Sequence, residues 1–253
     1  MLRFAYSTIN WGDTCDLHTA LAEIRQAGWS AVELFAHTLD WLGPREQLIA
    51  DLSGLAVATS FGVIDLPTNA NQRTIHKHRI DYAAALGAAN YGLVGGGRLR
   101  WRPPTDAEYA DLAGFCEELA DYGAQCGVTV AYHPHVGCTI ETEAEIDRLL
   151  DQTSTLQLCL DASHIALVDE DPIAHLRKYR ARTGYIHLKD WARGKFVELG
   201  QGTINIDFPA ILRELEDQGF VGWVVIEQSR SDISPLDSAQ TNAEYLKRLG
   251  YRL

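Results

Sequence analysis

Short β-branched and apolar runs alternate with amphipathic stretches of helical period from one end of the chain to the other. The runs predict eight strands: Arg3–Ile9, Ala31–Phe35, Leu55–Phe61, Asn90–Val94, Val128–His133, Leu156–Asp161, Thr183–Leu188 and Gly222–Gln228. The stretches between and after them predict eight helices: Leu17–Gln26, Arg45–Leu52, Gln72–Leu86, Asp106–Cys126, Glu143–Gln152, Pro172–Tyr179, Phe208–Gln218 and Asp237–Leu249. Asp16 and Thr142 stand where a side chain caps a helix start, and glycines such as Gly87 and Gly127 stand where a left-handed residue ends one. Regular alternation of strand and helix calls for parallel strands joined by right-handed crossovers, and eight such units close into a (β/α)8 barrel of the α/β class. A doubly wound open sheet is the competing architecture. It needs a Gly-rich turn after the first strand, where this chain has Thr8, Ile9, Asn10 and Trp11. No composition shift or long linker divides the chain, so residues 1–253 read as one barrel domain.

Charge narrows the partners. Lys plus Arg number 22 against 34 Asp plus Glu, and a net charge of -12 repels polyanions, which argues against nucleic acid. No apolar run approaches the ~20 residues of a membrane span, and Met1-Leu2-Arg3-Phe4 does not open a signal peptide. The expectation is a soluble, cytoplasmic protein. Cys15, Cys116, Cys126, Cys138 and Cys159 form an odd set with no Cys-x-x-Cys pair, which fits a reducing compartment and small core residues.

Barrel enzymes build their sites at the carboxyl ends of the strands. The ionisable residues predicted there are Glu33 and His37 after strand two, His133 and His135 after strand five, and Asp161 and His164 after strand six. His187, Lys189 and Asp190 follow strand seven, and Glu227 ends strand eight. Alternation along a strand points His133 and His135 the same way, as it does His187 and Lys189. Asp161, His187 and Glu227, joined by either His133 or His135, then converge on one point. Nitrogen and oxygen donors without thiolate suit a divalent ion of the manganese, cobalt, magnesium or zinc kind. Burying such charges at a barrel mouth is costly without a compensating cation. Other features are open to two readings. Gly95–Gly97 forms either a turn or a close approach to a ligand, Arg98, Arg100 and Arg102 either a solvated loop or a substrate contact. Trp11 and Trp191 either pack in the core or wall a sugar-sized pocket. No dedicated phosphate-binding motif is present, which favours an unphosphorylated substrate.

These residues carry a resemblance. Ile9-Asn10-Trp11, the run from Tyr132 through His133-Pro134-His135 to Gly137, the run Thr142–Asp147, His187-Leu188-Lys189-Asp190 and Gly222–Gln228 resemble the inosose dehydratase group of the xylose isomerase-like barrel superfamily. Leu160-Asp161-Ala162-Ser163-His164 is similar to that superfamily's pattern of an Asp ligand followed three residues later by His. The resemblance implies one divalent metal, manganese foremost, held by His133, Asp161, His187 and Glu227. It also marks a departure, because the strand-five ligand is commonly Glu in the epimerases and isomerases. With His133 there, two carboxylates remain and a divalent ion is just neutralised, which strengthens it as a Lewis acid. The implied chemistry is deprotonation next to a metal-polarised carbonyl, followed by dehydration of a cyclic keto-polyol such as inosose. Keto-sugar isomerisation or epimerisation, or β-elimination from a 3-keto-glycoside by a deglycosidase, are the alternatives. The candidate acid–base residues are His135, Glu33, Lys189, His164 and Glu227, and Trp11, His37, Trp191 and Arg98 are candidate substrate contacts. An apurinic-site DNA endonuclease shares the fold but clashes with the net charge. A silent accessory subunit and a homo-oligomer stay open.

Overall fold

The computed structural model describes residues 1–12, 16–35, 45–98 and 101–253. His37, Arg100 and Cys15, singled out above, lie outside them. Eight parallel strands close into a barrel: β1 (Arg3–Ser7), β2 (Ala31–Leu34), β3 (Ala56–Ile64), β4 (Asn90–Gly95), β5 (Thr129–Tyr132), β6 (Gln157–Asp161), β7 (Thr183–Leu188) and β8 (Trp223–Ile226). Each pairs with its sequence neighbours, and β1 closes the ring on β8 with Tyr6 beside Ile226. The predicted barrel is therefore the observed fold.

Helices pack outside the ring: α1 (Leu17–Gln26), α2 (Arg45–Leu52), α3 (Ala70–Ala85), α4 (Asp106–Gln125), α5 (Glu143–Leu150), α6 (Ala162–Leu167), α7 (Pro172–Lys178), α8 (Phe208–Asp217) and α9 (Pro235–Arg248). Asp16 caps α1 by accepting from His18 N at 3.3 Å. At α5 the reciprocal contact is clear, with Glu145 accepting from Thr142 N at 3.0 Å. Gly87 and Gly127 have φ of +74°, as the ends of α3 and α4 require. Strand β1 stops two residues early because Ser7 turns the chain into a 3-10 segment, Thr8–Trp11, by accepting from Ile9 N. Among the described residues the short helix α6, a 3-10 turn at Arg180–Arg182 and a hairpin, Asp190–Ala192 with Lys195–Val197, directly after β7, have no counterpart in the periodicity.

The core has two compartments. The larger lies between strands and helices, where Leu21 and Ile24 of α1, Phe115 and Leu119 of α4 and Leu212 of α8 are fully or almost fully buried. Each such side chain contributes roughly 1.5–3 kcal/mol of burial. The smaller compartment fills the barrel lumen with Ala5, Ala31, Ala58, Phe61, Ala131, Cys159, Tyr185 and Val225. Alanines on β1, β2, β3 and β5 leave room there for the bulk of Phe61 and Tyr185. Among the described residues no helix is long and apolar enough to cross a membrane.

Candidate metal centre

The carboxyl ends of β5 to β8 and of β2 meet over the lumen. Asp161 and His187 sit side by side in the register of β6 and β7, and His187 pairs in turn with Val225 of β8. Two residues beyond Val225, Glu227 continues the ladder through its N–H to Leu188 O at 3.1 Å. His133 extends β5 in the same manner, its N–H donating to Leu93 O at 2.7 Å. Donor atoms of His133, Asp161, His187 and Glu227 all lie within 4.8 Å of one another, and all four residues are buried. His135 is not part of this group. It joins His133 and His164 in another grouping, its ring 3.7 Å from that of His164.

Lys189 is buried among these groups. Its Nζ is 2.7 Å from Glu227 Oε2, 3.5 Å from Asp161 Oδ2 and 3.4 Å from His164 Nε2. Glu33 reaches across the lumen from β2, and its Oε2 accepts from His187 Nε2 at 2.9 Å. The other His187 nitrogen, Nδ1, is 2.7 Å from Glu227 Oε2.

These environments set protonation. Burial pushes the His133 and His164 imidazoles well below their ordinary 6.5, and His135 also goes down through burial and the Lys189 charge. All three are therefore neutral near pH 7. Burial opposes a charged His187, but Cys159, Glu33 and Glu227 beside it prevail and raise it. Burial likewise works against ionising Glu227, yet Lys189 and His187 hold it well below the usual carboxylate range. Asp161 is raised, chiefly by burial. Lys189 resists its own desolvation because Glu227 and Asp161 face it.

A divalent cation fits this donor set. Two imidazoles and two carboxylates supply borderline and hard ligands with a formal charge opposite to that of the ion. Buried polar atoms without a well-directed hydrogen bond gather here: Asp161 Oδ2, His187 Nδ1, Glu227 Oε2, Glu33 Oε1 and His164 Nδ1. Such atoms are costly to bury unless something binds them. Ion-pair distances to Lys189 answer part of that cost for the two carboxylates, and a cation would answer the rest.

The remaining candidates fall at different distances from this centre. Trp191 lies in the hairpin, edge-on to Phe196, and Phe196 in turn covers Lys189 at 4.5 Å and His164 at 5.8 Å. Asp190 anchors that hairpin by accepting from Gly200 N and Gly202 N. Trp11 packs on Tyr6 and donates to Glu23 Oε2 at 2.7 Å. Arg98 is tied to Glu145 and to Glu141, 3.3 Å away, and donates to Cys138 O at 3.1 Å, so it clasps the segment after β5. Phe61 and Phe196 were not among the sequence candidates. Phe61 packs at 5.6 Å from His133 and 5.8 Å from His187, stacking on the latter. Its only sequence signal is the bulk of Phe61 in a strand otherwise rich in small residues. At the opposite end of the barrel an open cavity of about 440 Å³ is lined by Arg3, Asn90, Thr129, Arg180, Thr183 and Trp223 among others. Among the described residues its lining holds no acid, histidine or lysine, and both arginines donate to backbone carbonyls.

A closed barrel with this group at the ends of its last four strands agrees with a family model for the xylose isomerase-like TIM barrel, which matches residues 21–249. The chain belongs to the xylose isomerase-like TIM barrel family. Its relatives in that family include an inosose dehydratase of Lacticaseibacillus casei, 29% identical over 233 residues that cover 78% of this chain and 77% of the relative. The rhizopine catabolism protein of Rhizobium meliloti is 28% identical over 303 aligned residues, covering 100% of this chain and 91% of the relative. Among solved structures, a D-allulose 3-epimerase from Methylomonas sp. superposes with a TM-score of 0.83 at 19% identity, covering 98% of each chain. A 3-keto-D-glucoside 4-epimerase from E. coli gives 0.81 at 19% identity, covering 98% of this chain and 99% of the other. At that identity the structures establish the shared fold.

Proposed function

We propose that this family member is a metal-dependent lyase that removes water from a cyclic keto-polyol such as inosose, with manganese as its cation. The observation that carries the reading is the buried group His133, Asp161, His187 and Glu227 lying beside three further proton-carrying side chains, His135, His164 and Lys189. Inosose dehydratases matching most of the chain supply the substrate class.

His133, Asp161, His187 and Glu227 would hold a divalent cation, which when bound would supply Lewis acidity at the substrate carbonyl and offset charge developing next to it. His135 takes the proton from the carbon beside that carbonyl. Its Nδ1 is 2.7 Å from Val136 O, an arrangement in which Nδ1–H donates and Nε2 is left as the basic nitrogen. His164 packs against His135 with its ring tilted, 3.7 Å between centroids, and holds that ring in place. The electron pair of the broken C–H bond forms the new C=C bond as the β-hydroxyl leaves, and Lys189 gives that oxygen the proton that makes it water. Phe196 closes over Lys189 and His164 and keeps bulk water from them. Trp191 forms part of the outer wall of the pocket, Trp11 packs instead against Tyr6 and α1, and Arg98 acts through the segment that carries His135.

The test is a proton NMR time course of the manganese-loaded protein with inosose in heavy water, with Asp161→Ala as control. Loss of substrate signals with growth of a 2-hydroxy-enone, or of the 1,2-dione to which it tautomerises, is the expected result. Deuterium entering beside the carbonyl without elimination moves the function to an isomerase or epimerase. No change with inosose, with turnover of a 3-keto-glycoside instead, moves it to β-eliminating deglycosylation.

A further inference from the structure

The His187 ring is held on several sides. Phe61 stacks on it at an interplanar angle of 26°, Tyr185 meets it edge-on at 5.3 Å, and the His133 ring is 4.8 Å away. Packing thus fixes the plane of the imidazole but leaves open which nitrogen carries the proton. That choice decides whether the ring offers a lone pair to a cation between Asp161 and Glu227 or turns an N–H toward it.

Glu33 makes the choice. It is fully buried, comes from the strand on the far side of the lumen, and places Oε2 2.9 Å from His187 Nε2. Nε2 makes a directed hydrogen bond to this carboxylate, whereas Nδ1, 2.7 Å from Glu227 Oε2, makes none among the described residues, so a cation displaces the Nδ1 proton and the Nε2 proton stays with Glu33. The reach is possible because Ala5, Ala31 and Ala58 keep the lumen narrow-walled but open on that side. We propose that Glu33 is a positioning residue that holds His187 in its Nε2–H form and so presents Nδ1 as a ligand to the divalent cation. The proposal rests on the cation reading given above. It assigns Glu33 no direct contact with substrate, and it gives a role to a buried carboxylate whose Oε1 has no hydrogen-bond partner among the described residues.

The experiment combines manganese titration with nitrogen-15 NMR of histidine-labelled protein loaded with diamagnetic zinc, the His187 signals being assigned through His187→Gln. The expected spectrum shows the ring proton on Nε2 and the metal shift on Nδ1. Glu33→Gln keeps an acceptor oxygen and should keep that tautomer, while manganese affinity falls about tenfold. Glu33→Ala should lose the fixed tautomer and bind about a hundredfold more weakly. A proton on Nδ1 of the wild-type protein overturns the proposal even if neither variant folds. Folded Glu33 variants that bind manganese as tightly as wild type overturn it as well. If instead wild-type protein takes up no stoichiometric manganese, or Asp161→Ala binds as well as wild type, the cation reading itself falls and the proposal falls with it.

Discussion

Asp161 holds His164 by its backbone. Oδ1 of Asp161 accepts from Ser163 N at 2.7 Å and from His164 N at 3.2 Å, while Oδ2 faces the cluster. One carboxylate therefore caps α6 and belongs to the candidate metal centre at once. The two roles separate by substitution. Asp161→Asn keeps an oxygen for the cap and loses the charge, whereas Asp161→Ala loses both. Both variants should lose at least a hundredfold in manganese affinity, and only Asp161→Ala should lose a further ~1 kcal/mol of stability from the missing cap. Calorimetric titration and chemical unfolding of the two variants measure these separately. Equal stability of the pair would remove the capping role.

His135 and His133 are neighbours with different surroundings, and the difference predicts different losses. His133 groups with the carboxylates, whereas His135 is half-buried against His164. His135→Ala should retain stoichiometric manganese and lose ~10²–10⁴-fold in solvent exchange of the substrate's α-proton. His133→Ala should lose the ion. The reverse pattern, metal lost from His135→Ala alone, would exchange the two assignments.

Much of this was legible in the chain because barrel strands and helices each bury one regular stripe. Alternating runs such as Thr183–Leu188 and capped helices such as Leu17–Gln26 follow local rules, and their positions came out within a few residues. The ends of β6 and β7 were also legible, since a parallel strand's last inward residue is known once its direction is. What period cannot reveal is closure. Glu33 and His187 are 154 residues apart and meet only because β2 and β7 face each other across the lumen. Arg98 reads as a loop cation until Glu141 and Glu145 arrive from the next βα unit to bind it. The hairpin carrying Phe196 is too short to register as a repeat, so the cover over Lys189 was invisible.

Gly92 has a reason that lies across the barrel. A Cβ at this position of β4 would fall well inside contact distance of the Tyr185 hydroxyl and the Phe61 ring. Both neighbours are fully or almost fully buried, so neither can move aside. Gly92→Ala should cost about 1–3 kcal/mol by overpacking. It should also weaken metal binding, because displaced Phe61 packs against His133 and His187. A variant with wild-type unfolding midpoint and manganese affinity would show that the lumen is looser than its packing implies.

The Arg98 clasp makes a prediction opposite to that of a substrate contact. Its guanidinium is engaged by Glu141 and Glu145, and its backbone N–H donates to Gly137 O at 2.8 Å. Arg98→Ala should lower stability by about 1–2 kcal/mol and speed proteolysis between residues 133 and 142. A KM effect without any stability change would instead assign the side chain to the pocket.

The last prediction concerns acid stability far from the metal centre. Glu117 on α4 accepts from Ser154 N and Thr155 N at 2.8 Å and from Leu156 N at 3.0 Å, fastening the turn that leads into β6. Burial opposes its ionisation, but the Ser154 hydroxyl and these backbone bonds prevail and lower the carboxyl from 4.5 to about 2. A folded-state value below the unfolded one means that the folded protein binds this proton less readily. The bonds therefore stabilise the fold fully above the unfolded value of 4.5, and the contribution is lost as pH falls from there through about 2. Glu117→Gln should be roughly 1–2 kcal/mol less stable than wild type at pH 7, after allowance for solvent at this partly exposed site. The gap should narrow steadily below the unfolded value. Urea unfolding of both proteins from pH 7 downward checks the slope, and a gap that stays constant with pH would show that the carboxylate's charge plays no part in holding the turn.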